Sequence, residues 1–143
     1  MERVHKMTDD SVYNDPTKLH TTKSGVVPPV IVEKPWGGEE LLVACPDYAM
    51  KFLKITAGER LSVQYHNKKR ETLHCLSGEG VAFLGTPEDP ENLEKIPFTP
   101  GTTLHIEPRT VHTYEATKDM VIVEVSTPHI DDVVRLQDRY GRS

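Results

Sequence analysis

The stretch Gly58-Glu59-Arg60-Leu61-Ser62-Val63-Gln64-Tyr65-His66-Asn67-Lys68-Lys69-Arg70-Glu71, which continues to Leu76-Ser77-Gly78, decides the fold. Apolar and polar side chains alternate from residue 60 to residue 66, and this pattern predicts a strand. One face of the strand would carry Leu61, Val63 and Tyr65, and the other Ser62, Gln64 and His66. The polar run at 67–70 predicts a turn, after which residues 71–76 return as the second strand of a hairpin.

This hairpin would bring Gln64, His66 and Glu71 together. A neutral imidazole, a carboxylate and an amide oxygen suit a divalent first-row metal, and zinc, manganese or iron fit best. The stretch therefore predicts a metal site.

The spacing also resembles the first signature of the cupin superfamily. That signature has a glycine, five residues, two ligands flanking one residue, four residues, a glutamate, six residues and a glycine, and every fixed position is filled here. The first ligand is Gln64 instead of the usual histidine, which is similar to the Gln-x-His pair of the phosphomannose isomerase branch.

Two further segments extend the resemblance to the C-terminal cupin domain of type II mannose-6-phosphate isomerases. Glu33-Lys34-Pro35-Trp36-Gly37 is similar to the opening of that domain, and residues 130–142 are similar to its closing sequence. The second cupin motif ends a proline turn with a lone histidine, and His112 occupies that place after the turn at 107–110. The resemblance runs from about Val32 to Arg142.

The composition fits this fold. With 143 residues, 36% hydrophobic and 27% charged, and with 11 prolines and 9 glycines, the chain is expected to be one turn-rich domain. We expect residues 1–25 to form a polar arm or disordered tail and residues 26–143 to form a single all-β cupin domain, a double-stranded β-helix. We expect a short helical or irregular tail at its C-terminal end, an edge strand at 30–32 and an exposed loop at 85–94.

Composition also restricts location and partners. No apolar run approaches the roughly 20 residues needed to cross a bilayer, and an apolar signal segment is lacking, so we expect a cytoplasmic protein that does not bind membranes. A net charge of −5 argues against nucleic-acid binding. Cys45 and Cys75 are predicted to be buried free thiols.

The resemblance implies four metal ligands, which are Gln64, His66, Glu71 and His112. The expected ion is zinc, with manganese, iron, nickel or cobalt as alternatives. Strand parity excludes His74 as a ligand, because it lies three residues after Glu71 and points to the other face. His105 is predicted to be a hydrogen-bonded core histidine and His129 a surface residue, whereas Trp36 either caps the sheet or shapes the pocket.

The resemblance further implies a metal-dependent isomerase that converts mannose 6-phosphate to fructose 6-phosphate, or acts on another phosphorylated or nucleotide-linked sugar. Catalytic roles fall to Lys69 and Arg135, and Lys51 and Arg142 would bind the anionic substrate. The chain departs from the family where Lys69 replaces arginine and Thr72 replaces histidine.

The sequence is also compatible with other functions, and it leaves the oligomeric state open. The alternatives are a non-catalytic cupin that binds a sugar or sugar phosphate, and a cupin enzyme of another class such as an oxygenase. We expect a homodimer, because the predicted outward face of the first strand (Leu61, Val63 and Tyr65) needs to be covered by the second sheet, the N-terminal arm or another subunit.

Overall fold

The described part of the chain folds into one curled sheet of ten strands. The computed structural model describes residues 20–142 and the backbone of residues 5–7. The strands are β1 (His5–Met7), β2 (Val30–Lys34), β3 (Gly37–Ala44), β4 (Ala49–Ile55), β5 (Val63–Tyr65), β6 (Glu71–Thr86), β7 (Asp89–Phe98), β8 (Thr103–Ile106), β9 (Val111–Ser126) and β10 (Val134–Gln137). The described residues contain no helix, so the all-β prediction is confirmed.

Strand β9 lies at the centre of the sheet. It pairs with β4, β5 and β6, and all of these pairings are antiparallel. From β4 the sheet continues through β3 and β2 to β1, from β5 it continues to β10, and β6 also pairs with β7 and β8. Because β9 contacts strands from both halves of the chain, it joins the two sides of the fold around a common interior.

Strict alternation along the strands builds the core. Along β4, residues 49, 51, 53 and 55 are buried and alternate with more exposed residues. The main apolar cluster gathers side chains from β4, β6, β8 and β9 around Trp36 and Phe98. Lys51 is the one charged side chain on the buried face of β4, and it points into the interior that the apolar cluster surrounds.

The predicted hairpin at 60–76 is wrong. Strand β5 is only three residues long and pairs with β9 and β10, not with β6. Leu61 and Ser62 precede the regular strand and are both buried, so the expected alternation of faces fails there and Leu61 lines the interior. The physical reason is that the loop at 67–69 donates its backbone N–H groups to Asp132, which holds it away from a tight turn.

Three other expectations are corrected. Strand β2 is not an edge strand, because β1 pairs with it in parallel at residues 30–32. The predicted loop at 85–94 is a tight turn followed by the exposed strand β7, which pairs only with β6 and so tolerates Pro90. The C-terminal tail contains the strand β10, which pairs with β5.

The predicted N-terminal arm at 1–25 lies mostly outside the described residues. Of the two thiols, Cys75 is buried and Cys45 is half-buried, and both are free. Within the part of the chain that the structure describes, we find no helix with the length and hydropathy needed to span a membrane.

Candidate metal centre and its pocket

Three side chains that the sequence predicts as ligands meet inside the sheet. His66 follows β5, Glu71 begins β6, and His112 is the second residue of β9. Their candidate ligand atoms all lie within 4.8 Å of one another, and all three residues are buried. Oε1 of Glu71 lies 3.1 Å from Nε2 of His112 and 3.5 Å from Nε2 of His66. The three residues therefore form a compact cluster that could hold one ion.

The outer nitrogen of each imidazole contacts a backbone carbonyl. Nδ1 of His66 lies 2.5 Å from the carbonyl oxygen of Asp132, and Nδ1 of His112 lies 2.8 Å from that of Thr110. A carbonyl only accepts hydrogen bonds, so each Nδ1 carries a proton, and in the neutral imidazole each Nε2 then presents a lone pair. Both Nε2 atoms are buried without a hydrogen bond among the described residues.

This arrangement fits a cation. The two lone pairs and Oε1 of Glu71 face one another, and all three are acceptors, so a positive charge between them would satisfy all three at once. Burial by itself would raise the pKa of Glu71, but the ammonium group of Lys69 holds it well below its ordinary value, so Glu71 is an anion at neutral pH. Imidazole and carboxylate are ligands suited to zinc, manganese and iron.

Gln64 lies beside this cluster. It sits directly opposite His112 in the β5–β9 pairing and lines the same pocket. Its Oε1 accepts a hydrogen bond of 2.6 Å from the hydroxyl of Ser62. Its role as a fourth ligand remains a prediction.

A chain of alternating buried charges extends from the cluster across the sheet. Nζ of Lys69 lies 3.1 Å from Oε2 of Glu71 and 2.9 Å from Oε2 of Glu124. Lys51 stands opposite Glu124 in the β4–β9 pairing, and its Nζ lies 3.2 Å from Oε2 of Glu39. Each buried charge thus has an opposite charge beside it, which offsets the cost of removing it from water.

Glu124 was not predicted from the sequence to be a site residue. Burial, and then the negative charge of Glu71, raise its pKa, while Lys69 and Lys51 oppose this. A signal was present in the sequence, because Glu124 has the same strand parity as Met120 and Ile122 and therefore shares their buried face. A carboxylate on the buried face of an apolar strand is a candidate functional group.

Three cations from distant parts of the chain line the same pocket. Lys34 ends β2, Arg135 lies on β10, and Arg142 follows β10. Burial lowers the pKa of Lys34 to about 8, with Glu39 opposing. Burial, and then the charge of Arg142, lower the pKa of Arg135. Cations that repel one another in a pocket attract an anion that neutralises them.

The pocket has a volume of about 180 Å³. All eight side chains assigned metal, catalytic or substrate roles from the sequence line it: Lys51, Gln64, His66, Lys69, Glu71, His112, Arg135 and Arg142. Its lining also includes Lys34, Glu39, Tyr114 and Glu124, which the sequence analysis did not single out. Trp36 is buried and lines the pocket, so it takes the pocket-shaping position.

The other histidines lie outside the pocket. Nδ1 of His74 bonds the hydroxyl of Thr103, in agreement with its exclusion as a ligand. The prediction of a core position for His105 is wrong, because its side chain is 56% exposed and its Nε2 lies 2.6 Å from Glu107. His129 is half-buried instead of exposed, and its Nδ1 lies 3.0 Å from the hydroxyl of Thr127.

Comparison with known proteins identifies the fold. No family model and no curated protein sequence matches the chain. The capsular polysaccharide assembling protein CapF of Staphylococcus aureus is similar over 78% of this chain and 32% of its own, with a TM-score of 0.69 and 18% identity. The oxalate decarboxylase of Lactobacillus farciminis in a formate complex is similar over 74% of this chain and 33% of its own, with a TM-score of 0.63 and 14% identity.

An RmlC-like cupin from Desulfovibrio desulfuricans is similar over 63% of this chain and 80% of its own, with a TM-score of 0.52 and 25% identity. The chain spans about a third of the length of the CapF structures. These likenesses, together with the curled antiparallel sheet, show that the chain has the fold of the cupin proteins.

Proposed function

We propose that this cupin-fold chain is a metal-dependent isomerase of a phosphorylated monosaccharide, with mannose 6-phosphate as the first substrate to test. One observation carries the proposal. The acceptor cluster of His66, Glu71 and His112 opens into the same pocket as the cations Lys34 and Arg135. A ligand with sugar oxygens at one end and a phosphate at the other would contact both.

The size and charge of the pocket support a small anion. A volume of about 180 Å³ is below the roughly 300–1,000 Å³ of pockets that hold drug-sized ligands. This favours a monosaccharide phosphate over a nucleotide-linked sugar. Arg135 offers the planar donor group that grips phosphate in pairs, and Lys34 adds a point charge. Arg142 adds positive charge, while its Nε and one amino nitrogen donate to the Asp138 carboxylate.

The buried pair of Glu124 and Lys69 supports proton transfer. Burial raises the pKa of Glu124, which makes its carboxylate a better proton acceptor. It would accept the proton from the carbon that bears the hydroxyl and return it to the adjacent carbonyl carbon, while the hydroxyl proton moves to the carbonyl oxygen. Lys69 holds the Glu124 carboxylate in place through the 2.9 Å ion pair. A bound divalent metal would polarise the sugar oxygens.

The departure at Thr72 does not weaken this proposal. The hydroxyl of Thr72 lies 2.9 Å from Nδ1 of His105 on the exposed side of the sheet, away from the pocket. A histidine at that position would therefore lie outside the candidate site. Lys69 keeps a cation between the two carboxylates, although it lacks the fork of the arginine it replaces.

The test is direct conversion of mannose 6-phosphate to fructose 6-phosphate, followed by nuclear magnetic resonance with added zinc or manganese. Glu124→Gln should lower turnover at least about 100-fold with metal content unchanged. Glu71→Gln should lower both turnover and metal content. Glu107→Gln is the matched control, since that carboxylate is exposed, and it should retain full turnover. Full turnover of metal-free protein would contradict the proposal.

A non-catalytic sugar-phosphate binder is the second candidate. The observation in its favour is that two carboxylates hold Lys69, the lysine to which the family resemblance assigns a catalytic role. A binder would show a ligand-dependent rise in melting temperature without turnover. The fold also occurs in an oxalate decarboxylase, so a cupin enzyme of another class is a third candidate. An oxygenase would consume dioxygen when loaded with iron.

We also propose a homodimer. Tyr48 and Val125 are exposed apolar side chains that line one shallow groove on the outer side of the sheet. A second copy that covers this groove would bury both. A monomeric mass measured by light scattering would contradict this.

A further inference from the structure

Tyr114 lies in the wall of the pocket next to the candidate metal centre. It is two residues after His112 on β9 and is 1% exposed. Its ring packs at 5.7 Å, centroid to centroid, from both Phe98 and His112. A phenylalanine ring would make the same packing contacts, so the core does not explain the hydroxyl group.

The Tyr114 hydroxyl is buried and makes no hydrogen bond of normal geometry among the residues that the structure describes, although Glu71 lies within its reach. Leaving a buried hydroxyl unsatisfied lowers the stability of a fold, and such groups are uncommon in native proteins. A phenol hydroxyl keeps its proton at neutral pH and acts as a donor. Tyr114 lines the same pocket as the three converging acceptors.

We propose that the Tyr114 hydroxyl donates a hydrogen bond to an oxygen of the ligand bound at the His66–Glu71–His112 centre. The ligand class is a molecule with two adjacent oxygens, such as a hydroxy-carbonyl sugar or a hydroxamate, of which one contacts the metal and one accepts from Tyr114. This inference rests on the metal centre of the proposed function. It goes further by assigning a specificity-determining contact to a residue that was not predicted from the sequence to be a site residue.

Binding to the cobalt-loaded protein tests the proposal without relying on activity. Acetohydroxamate has two adjacent oxygens and changes the visible spectrum of a cobalt site when it binds, and mannose 6-phosphate is the second probe, measured by calorimetry. Tyr114→Phe should bind acetohydroxamate about 10-fold more weakly than the unchanged protein. The metal-free Tyr114→Phe protein should melt at the same or a higher temperature, because a buried unsatisfied group has been removed.

Tyr140→Phe is the matched control. The Tyr140 hydroxyl donates to the carboxylate of Glu59, and its ring packs against the core outside the pocket. That variant should melt at a lower temperature and bind acetohydroxamate normally. The two variants therefore give opposite patterns of stability and affinity if the Tyr114 hydroxyl serves a ligand.

Three results would overturn the inference. These are equal acetohydroxamate affinity in Tyr114→Phe and the unchanged protein, a melting temperature lowered in Tyr114→Phe as much as in Tyr140→Phe, and no acetohydroxamate binding by the unchanged cobalt-loaded protein. A weakened response to acetohydroxamate with no binding of mannose 6-phosphate by any variant would support the Tyr114 contact and reject the proposed substrate.

Discussion

Asp132 holds His66 from two sides. Its backbone carbonyl oxygen lies 2.5 Å from Nδ1 of His66, and its carboxylate accepts the backbone N–H groups of residues 67, 68 and 69. Burial would raise the pKa of Asp132, but the hydrogen bonds from Lys68, Lys69 and Asn67 lower it. A single residue thus fixes both the tautomer of one candidate ligand and the loop that leads to Glu71.

Asp132→Ala should weaken metal binding without removing any ligand. Loss of three charge-assisted hydrogen bonds should lower the free energy of unfolding by roughly 2–4 kcal/mol. A loosened loop should lower metal affinity roughly 10–100-fold. Asp119→Ala is the control, because its carboxylate accepts the N–H of Ala57 at 2.8 Å far from the centre. Competition titrations with a coloured chelator measure the metal affinity of both variants. Equal affinities would refute this role of Asp132.

Metal removal should destabilise the protein. At a concentration 100 times its dissociation constant, an ion that binds only the folded state adds about 2.7 kcal/mol, which corresponds to a melting temperature roughly 8 °C higher. Glu71→Gln should abolish most of this rise, because it removes the charge that faces both imidazoles. Scanning calorimetry before and after chelation checks it. An undiminished rise in Glu71→Gln would place the ion elsewhere.

Phosphate binding should weaken as the pH rises through about 8. Burial lowers the pKa of Lys34 to about 8, with Glu39 opposing and the cations Lys51, Arg142 and Arg135 adding to it. Above that pH the amine is neutral and no longer attracts phosphate. The unfolded chain keeps this proton to about pH 10.5, so the free energy of unfolding should rise between about pH 8 and 10.5.

Calorimetry with inorganic phosphate from pH 7 to 9.5 measures this dependence. Lys34→Met should bind phosphate more weakly at pH 7 and flatten both pH profiles. Lys54→Met removes an exposed lysine that pairs with Glu40, and it should leave them unchanged. A profile for Lys34→Met as steep as that of the unchanged protein would show that another group is responsible.

The two glycines that bracket the first motif should differ in their tolerance of alanine. Gly58 and Gly78 both have φ of +86°, but a Cβ at Gly58 meets nothing within 4 Å, whereas one at Gly78 would lie 2.0 Å from the carbonyl oxygen of Asp119. Gly58→Ala should therefore cost about 1 kcal/mol from its backbone conformation alone. Gly78→Ala should cost roughly 3 kcal/mol or more, because the backbone must move. Urea denaturation compares them, and equal losses would contradict the close approach.

Motif spacing points to His66, Glu71 and His112, which the fold brings together. Their role as metal ligands stays a prediction. The course of the backbone between these residues could not be predicted from the local sequence pattern. A polar run such as 67–70 is compatible with a tight turn and with a longer loop. Here the longer loop forms because its backbone N–H groups bond Asp132, a residue 63 to 65 positions later.

Lys34 and Glu124 show a second reason for failure. Each looks ordinary in its local segment, one in a loop-like motif and the other within an apolar strand. Their roles as pocket groups depend on neighbours from β4, β9 and β10 that no local window contains. The exposed residues of β7 likewise have the composition of a loop, because an outer strand with few buried side chains carries little apolar signal.

The central position of β9 also determines when the ion can be bound during folding. Its partners β4, β5 and β6 come from earlier parts of the chain, and the contact between residues 66 and 132 closes over a separation of 66 positions. Such long loops make folding slow, on the order of milliseconds to seconds. If the centre binds an ion, we expect high-affinity metal uptake to be a late kinetic step, and its rate in a stopped-flow experiment would measure how quickly the distant strands associate.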